Sequence, residues 1–441
     1  MKKRKRRAKK TRFSLEDIDL NAEFLKAIEL IENTERCVFL TGKAGTGKTT
    51  LLRYFKGKTK KNIVVLASTG IAAINIGGQT IHSFFMLPPR FIQKDDVRLS
   101  HKNQKIIQSL DTLVIDEVSM VRADVMDAID YSLRVHRKRL GVPFGGVQVV
   151  LFGDLHQLSP VIEPTLREVY KTKYASPYFF HADVFREVIL ERIELSKVYR
   201  QTEREFVEIL NRIRDKNHTA EDLGILNQRV TQKEVKGSHI ILTTTNRDAA
   251  AINEAKLAAL PGEAFVYGAE VSGKFEESAF PSDNRLVLKK GAQVMLTKND
   301  VEFRRWVNGS IGIVEDLSEE EITVSIDGKK HEIPMASWDK HEYVLNEETG
   351  EIEQDVVGTF RQYPIRLAWA ITIHKSQGQT FDRVIIDTGN GVFAHGQLYV
   401  ALSRCTRLEG IQLKRSIVHS DVKFDENVLN FGGFDRQHTP F

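Results

Sequence analysis

The chain has 441 residues, 41% hydrophobic and 28% charged, with a formal net charge of +5, the balance of a water-soluble globular protein long enough for two or three domains. No apolar stretch approaches the length a helix needs to cross a bilayer, and the N-terminus lacks the apolar core of a signal peptide. Two isolated cysteines, Cys37 and Cys405, build neither a disulfide framework nor a zinc site, which implies a reducing interior.

Charge is spread unevenly along the chain. Residues 1–12 hold nine Lys or Arg and no acid, and self-repulsion predicts a basic disordered tail over 1–19. Three readings of that tail stand open: a nuclear address, a nucleic-acid arm, or a solubilising tail. Residues 310–360 hold fourteen acids against three bases. The basic remainder fits an anionic polymer as partner.

The apolar run 37–40 leads into Gly42-Lys-Ala-Gly-Thr-Gly47-Lys48-Thr49, and a helix opens at Thr50-Leu-Leu-Arg. Strand, glycine-rich loop and helix, with a lysine and a hydroxyl at the helix start, form the phosphate-binding loop of a protein that binds ATP or GTP. Gly42, Gly45 and Gly47 let the backbone N–H groups of the loop, Thr46 and Thr50 included, turn toward phosphates. Lys48 reaches the β- and γ-phosphates, and the Thr49 hydroxyl completes a Mg²⁺ shell.

Further β-branched runs at 63–67, 112–116, 147–152 and 192–195 alternate with helical stretches, so 20–198 reads as one doubly wound α/β domain. The run Leu113-Val-Ile-Asp116-Glu117 is a buried strand ending in two carboxylates. Beside a phosphate loop, Asp116 is placed to hold Mg²⁺ through water and Glu117 to orient or deprotonate the attacking water. The strand 148–152 ends in Gly153-Asp154-Leu-His-Gln157, where Gln157 can contact the γ-phosphate and report its loss. Arg200, near the domain junction, and Arg404, in Tyr399-Val-Ala-Leu-Ser-Arg404, are either arginines reaching across a cleft or surface salt-bridge residues.

A second set of strands, at 239–243, 292–296, 383–387 and 410–413, alternates with helix-like segments 203–215, 247–259 and 396–404, which reads as a second α/β layer without its own phosphate loop. Within it, 308–360 changes grammar. Ile322, Val324 and Ile326 alternate with polar residues, and turns fall at Asp327-Gly328 and Thr349-Gly350, predicting antiparallel hairpins and a small β-barrel.

Taken together, the blocks 41–49, Ala67-Ser-Thr-Gly-Ile-Ala-Ala73, Gly77-Gly-Gln-Thr-Ile-His-Ser-Phe84, Val114-Ile-Asp-Glu-Val-Ser-Met120, Pro143-Phe-Gly-Gly-Val-Gln148, Gly153–Gln157, Val198-Tyr-Arg-Gln201, 368–378 and Val400–Arg404 resemble superfamily-one helicases, and among them the Pif-one family of 5′-to-3′ DNA helicases. The resemblance runs from about residue 20 to 415. It implies two RecA-like motor domains, 20–198 and the pair 199–307 with 361–441, an SH3-like β insertion at 308–360, and a wedge at about 83–105 that includes Phe84, Phe85, Pro88 and Pro89. By the same resemblance Lys48, Thr49, Asp116, Glu117, Gln157, Arg200 and Arg404 fall on nucleotide-site positions, and Gly378 on the γ-phosphate side. Thr69, His82, Asn246, His374 and Lys375 fall near the single-strand track.

The implied activity is ATP-dependent, Mg²⁺-requiring translocation on single-stranded DNA with unwinding of duplexes, G-quadruplexes and RNA–DNA hybrids in genome maintenance. The implied actor is a monomer, with dimerisation on DNA left open. Its implied place is the cytoplasm and nucleoid of a bacterium, or the nucleus or mitochondrion of a eukaryote. A nucleotide-switched single-strand clamp and an RNA helicase are the rival readings. Two local readings also stay open. Phe84 and Phe85 either project toward a base or plug the core. In Leu20-Asn21-Ala22-Glu23-Phe24, Phe24 takes the place of the family's adenine-recognising glutamine, and either stacks on a base or packs inward.

Overall fold

A computed structural model of the chain describes residues 20–98, 101–201, 203–231, 239–389, 391–392 and 394–432, and the basic tail expected over 1–19 lies outside the described residues. Six parallel strands form the first sheet: β1 (Cys37–Gly42), β2 (Ile63–Ala67), β3 (Gln79–Thr80), β4 (Thr112–Asp116), β5 (Gln148–Phe152) and β6 (Leu190–Leu195), in the spatial order β3-β2-β4-β5-β1-β6. Successive residues of these strands enter opposite cores. Val38, Leu40, Val65, Val114 and Val150 pack with helices α1 (Ala22–Asn33) and α2 (Lys48–Lys58), whereas Phe39, Leu66, Leu113, Ile115 and Leu151 pack on the other face. Both faces are covered, which is why these strands read as unbroken apolar runs.

A second parallel sheet takes the order Ala370–Thr372, Ile240–Thr243, Val384–Asp387 and Ile411–Leu413. Helices Arg204–Arg214, Asn246–Ala259 and Gln397–Leu402 fall where the sequence predicts them.

The run 292–296 requires a correction. Its strand, Gln293–Leu296, belongs to an antiparallel sheet, between Ile311–Leu317 and Ile365–Leu367, and not to the second parallel sheet. It is buried on both sides, with Met295 in the core of the second parallel sheet and Val294 and Leu296 in the core of the antiparallel one. A strand shared by two cores has the same continuous apolar signature as a central parallel strand.

The hairpins follow their pattern. Asp327 (φ 48°) and Gly328 (φ 75°) make the left-handed pair that joins Ile322–Ile326 to Lys329–Glu332. The strands flanking Thr349-Gly350, Ala336–Leu345 and Ile352–Gln362, pair with each other, and Ile352–Gln362 pairs on its other side with Glu270–Gly273. Antiparallel pairing therefore involves strands from 265 to 367, a wider span than 308–360. No helix of the described residues is long and apolar enough to cross a membrane.

Two elements tie the remainder of the chain back to the first sheet. The hairpin 336–362 carries Tyr343, whose hydroxyl accepts from the Val65 N–H (2.9 Å) and donates to the Val65 carbonyl (3.1 Å). Because β3 pairs with β2 only at Leu66 and Ala67, that hydroxyl supplies the partner β2 lacks one residue earlier. At the other end, helix Glu426–Gly432 returns to the first core, where Val428 is buried and Phe431 stacks on Phe180 with centroids 4.3 Å apart.

Burial also decides between the readings of Phe84. Phe84 and Phe85 are 2% and 4% exposed, stand edge to face at 4.9 Å, and Phe84 meets the Tyr343 ring at 6.1 Å. The expected projection of Phe84 toward DNA is therefore withdrawn. Two aromatics on a five-residue helix gain more by filling the first core than by facing water.

Replacing Tyr343 by Phe removes both bonds to Val65 and leaves a buried backbone pair unsatisfied. We expect a loss of about 1–3 kcal/mol in chemical denaturation and faster hydrogen exchange at the Val65 amide. An unchanged exchange rate at that amide would show that the hydroxyl is not its partner.

Candidate functional site

At the carboxyl end of β1 the backbone enters the phosphate loop through Gly42 and leaves it through Gly47, which caps α2 with φ 86°. The left-handed turn turns the first N–H groups of α2 toward the cleft, where helix geometry favours an anion. The Lys48 ammonium donates to the carbonyls of Gly42 (2.6 Å) and Lys43 (3.1 Å). Burial lowers its pKa, against the pull of Asp154, Glu117 and Asp116.

The loop is walled closely on two sides. A Cβ on Gly45 would lie 2.5 Å from the Arg200 Cβ, and one on Gly47 would lie 3.0 Å from the Phe24 ring. Tyr199 N–H donates to the Gly45 carbonyl (2.9 Å), and the Ala44 N–H donates to the Tyr399 hydroxyl (3.0 Å). Tyr399 sits on helix Gln397–Leu402, packed on the second sheet, so both sheets hold the loop.

Two carboxylates close β4. Asp116 is buried and accepts from the Glu117 N–H at 3.0 Å, and Glu117 takes a left-handed φ of 51°, which swings its side chain off the strand line into the cleft. Burial, with Asp116 adding repulsion, pushes the Glu117 carboxyl up to about 7, and burial also raises Asp116. After β5, Gln157 donates to Asp154 (3.2 Å). Despite burial, which alone would raise it, the Asp154 carboxyl is held below its usual range by Arg214 and Lys48. Its partner Arg214 lies at 3.2 Å and is 4% exposed.

The arginines complete the cleft. Arg404 is 1% exposed, and its guanidinium donates to the Val400 carbonyl (2.9 Å), the Ser403 hydroxyl (2.8 Å) and the Ser376 carbonyl (3.3 Å). Burial and then the neighbouring Arg200 bring it down to about 9. Arg200 donates to the Ser403 carbonyl at 3.4 Å. Neither is a surface salt-bridge residue. A cavity of about 630 Å³ is lined by Gly45, Thr46, Gly47, Lys48, Thr49 and Thr50, by Glu117, Gln157, Arg200, Gly378 and Arg404, and by Phe24, Tyr199 and Thr380.

Most residues that the sequence assigned to a nucleotide therefore meet around one cavity, with Gly42 bonded to Lys48 and Asp116 to the Glu117 N–H. Sequence reading missed Arg214, Tyr399, Tyr199 and Thr380. Arg214 ends an ordinary amphipathic helix, and its link to Asp154 spans sixty positions. Of the open readings of Phe24, it packs inward, 2% exposed, with its ring edge on the cavity.

The expected strand-track residues lie apart from the cavity, at carboxyl ends of parallel strands. Thr69 follows β2 and caps helix Gly70–Ile76, exposed. Asn246 opens the helix after Ile240–Thr243 and is exposed, whereas Thr243 is buried and its hydroxyl is used internally. Exposed Lys375 and half-buried His374 follow Ala370–Thr372. His82 is half-buried, and burial lowers its pKa as it does that of His374.

Comparison with known proteins agrees with this geometry. A family model described as PIF1-like helicase matches residues 19–223, and one described as UvrD-like helicase C-terminal domain matches 367–408. The ATP-dependent DNA helicase Pif1 of Bdellovibrio bacteriovorus is 33% identical over 435 residues, covering 94% of this chain and 92% of that protein. The chain belongs to the PIF1-like helicase family.

Among solved structures, Pif1 from Bacteroides sp in complex with ADP-AlF4 superposes with a TM-score of 0.88 at 41% identity, covering 94% of this chain and 97% of that one. Bacteroides Pif1 bound to ssDNA, at the same 41% identity, with 94% of this chain and 96% of that one covered, gives 0.68. Identity and coverage barely change between the two, so the lower score reflects a different arrangement of parts. Unliganded Pif1 from Bacteroides sp, at 41% identity with 94% of this chain and 97% of that one covered, gives 0.87. This chain spans about three fifths of the length of the vertebrate relatives it matches.

The raised Glu117 carboxyl sets a stability prediction. A carboxyl whose pKa rises on folding favours the folded state while protonated and loses that advantage as pH climbs from about 4.5 to about 7. Glu117→Gln should therefore be more stable than the parent at pH 8, by about 1 kcal/mol given its partial exposure. The gap should shrink at pH 5. A variant equally stable at both values would place Glu117 in a solvent-like setting.

Proposed function

We propose that this chain is an ATP-hydrolysing 5′-to-3′ DNA helicase that translocates on single-stranded DNA. The observation that carries the reading is the cleft itself: a phosphate loop and two carboxylates from the first sheet face Arg404 from the second.

In this reading the γ-phosphate lies against Lys48, and Glu117 holds the attacking water in line and takes its proton. Its carboxylate form dominates above about pH 7. Arg200 and Arg404 exchange backbone carbonyls for the phosphoryl oxygens as charge spreads in the transition state. Gln157, held by Asp154, senses the γ-position, and Gly378 leaves room on that side.

Thr49 and Asp116 offer a hydroxyl and a carboxylate, a hard-oxygen donor set suited to Mg²⁺, with phosphates and water completing the shell. Such a cation would arrive with the nucleotide, since two protein oxygens alone do not fill its shell. When bound, it neutralises phosphate charge.

Thr69, Asn246, His374 and Lys375, with His82 near them, are proposed as backbone contacts along a strand laid over both sheets. Uncharged donors and one lysine suit grip without sequence readout. Segment 83–105 is retained as a wedge, without Phe84 as its point, and the antiparallel part as an SH3-like insertion. Substrates are single-stranded DNA with duplex junctions, and by extension G-quadruplexes and RNA–DNA hybrids in genome maintenance. The protein acts as a monomer, with pairing on DNA open, wherever the cell keeps its DNA.

Strand displacement on duplexes carrying either a 5′ or a 3′ tail tests the reading. Displacement only from the 5′ tail, with hydrolysis stimulated by single strands, is expected. Stimulated hydrolysis without displacement would favour a clamp, and preference for an RNA duplex would favour an RNA helicase. Lys48→Ala should abolish hydrolysis and displacement while single-strand binding persists, and Arg404→Ala should lower kcat about 10³-fold.

A further inference from the structure

We infer that this chain holds its nucleotide without reading the base, so that GTP, CTP and UTP are hydrolysed about as well as ATP. The inference rests on the nucleotide site proposed above and concerns its far end. Lys48, Glu117 and Arg404 mark where the terminal phosphate goes, so the base extends toward the opposite wall of the cavity, formed by Phe24 and Tyr199.

That wall is aromatic and lacks reading groups. Phe24 is 2% exposed, with its ring edge packed against Gly47, and presents only carbon to the cavity. The polar side chains beside it are engaged elsewhere. Asn21 Oδ1 accepts from the Phe24 N–H (2.8 Å), and its Nδ2 donates to the Tyr199 hydroxyl (3.3 Å). The Glu23 carboxylate accepts from the Ser196 N–H (2.9 Å) and from the Ser196 hydroxyl. Tyr199, 45% exposed, lines the cavity with a ring that carries the Lys197 ammonium 4.9 Å from its centroid, a cation–π contact that reads no base.

Adenine and guanine differ in their exocyclic amino and carbonyl groups, so telling them apart takes a donor or acceptor fixed at the base edge. Among the described residues, no amide or carboxylate side chain lines this end of the cavity. Stacking tolerates any base, since every base has a π-face. A site built on hydrogen bonds to its substrate rejects the wrong one by about 10⁴ or more, whereas an apolar pocket reaches roughly 10- to 200-fold at best. Phe24 thus marks the end of the cavity where specificity is set, and there it offers an apolar ring edge and no code.

Initial rates with ATP, GTP, CTP and UTP, measured on the full chain with saturating single-stranded oligonucleotide, test this directly. Values of kcat/KM within about tenfold of one another are expected, and a larger preference for ATP would overturn the inference. Hydrolysis of none of the four would instead overturn the nucleotide-site reading beneath it. Phe24→Leu keeps an apolar filler and removes the ring, and KM should then rise in parallel for all four nucleotides. A rise confined to ATP would mean that the base is read here, and would overturn the inference as well.

Discussion

Like charges crowd one another at the cleft, and the rest of the structure serves to keep them there. Arg404 and Arg200 approach closely enough that burial and mutual repulsion bring Arg404 down to about 9, while burial and Asp116 push Glu117 up to about 7. Left to themselves such groups would separate or neutralise. They stay because the scaffold over-determines them. Arg404 is held on backbone carbonyls, Glu117 sits in a left-handed turn, and Asp154, paired with Arg214, accepts from the Gln157 amide. In the proposed mechanism a phosphoryl group would supply the negative charge that Arg200 and Arg404 face.

That arrangement needs walls that fit but are not fused. The Tyr399 hydroxyl and the Arg200 Cβ touch the phosphate loop from elements beyond the first sheet, and Gln201 donates to the Ser403 carbonyl at 3.0 Å. Farther from the cleft, His395 donates through Nε2 to the Leu155 carbonyl (2.8 Å) and accepts the Asp425 N–H on Nδ1 (3.0 Å), just before the returning helix Glu426–Gly432 docks on Phe180. The two sheets are therefore joined at the cleft by bonds that can be exchanged and behind it by apolar stacking.

The parallel strands and the phosphate loop were legible in the sequence because each has a local signature: β-branched runs between helices, and glycines at fixed offsets before Lys48. The hairpin at Asp327-Gly328 was legible for the same reason. What escaped had no local signature. Gln293–Leu296 serves two cores and so reads like any buried strand. Arg214 matters only through a partner sixty positions away, and Tyr343 only through a sheet edge 278 positions away. Phe84 looked like a projecting aromatic because a sequence does not reveal that Tyr343 will close over it. Phe24 was visible as a departure, but its inward packing depended on the approach of Gly47.

The most direct measurement is a crystal structure of this chain with ADP, fluoroaluminate and Mg²⁺. If the crowded charges exist for the transition state, the guanidiniums of Arg200 and Arg404 will leave the carbonyls of Ser403, Val400 and Ser376 and lie about 3 Å from the fluorides, with Glu117 on the in-line water. A complex in which the fluoroaluminate is bound and both arginines remain on those carbonyls would contradict the account.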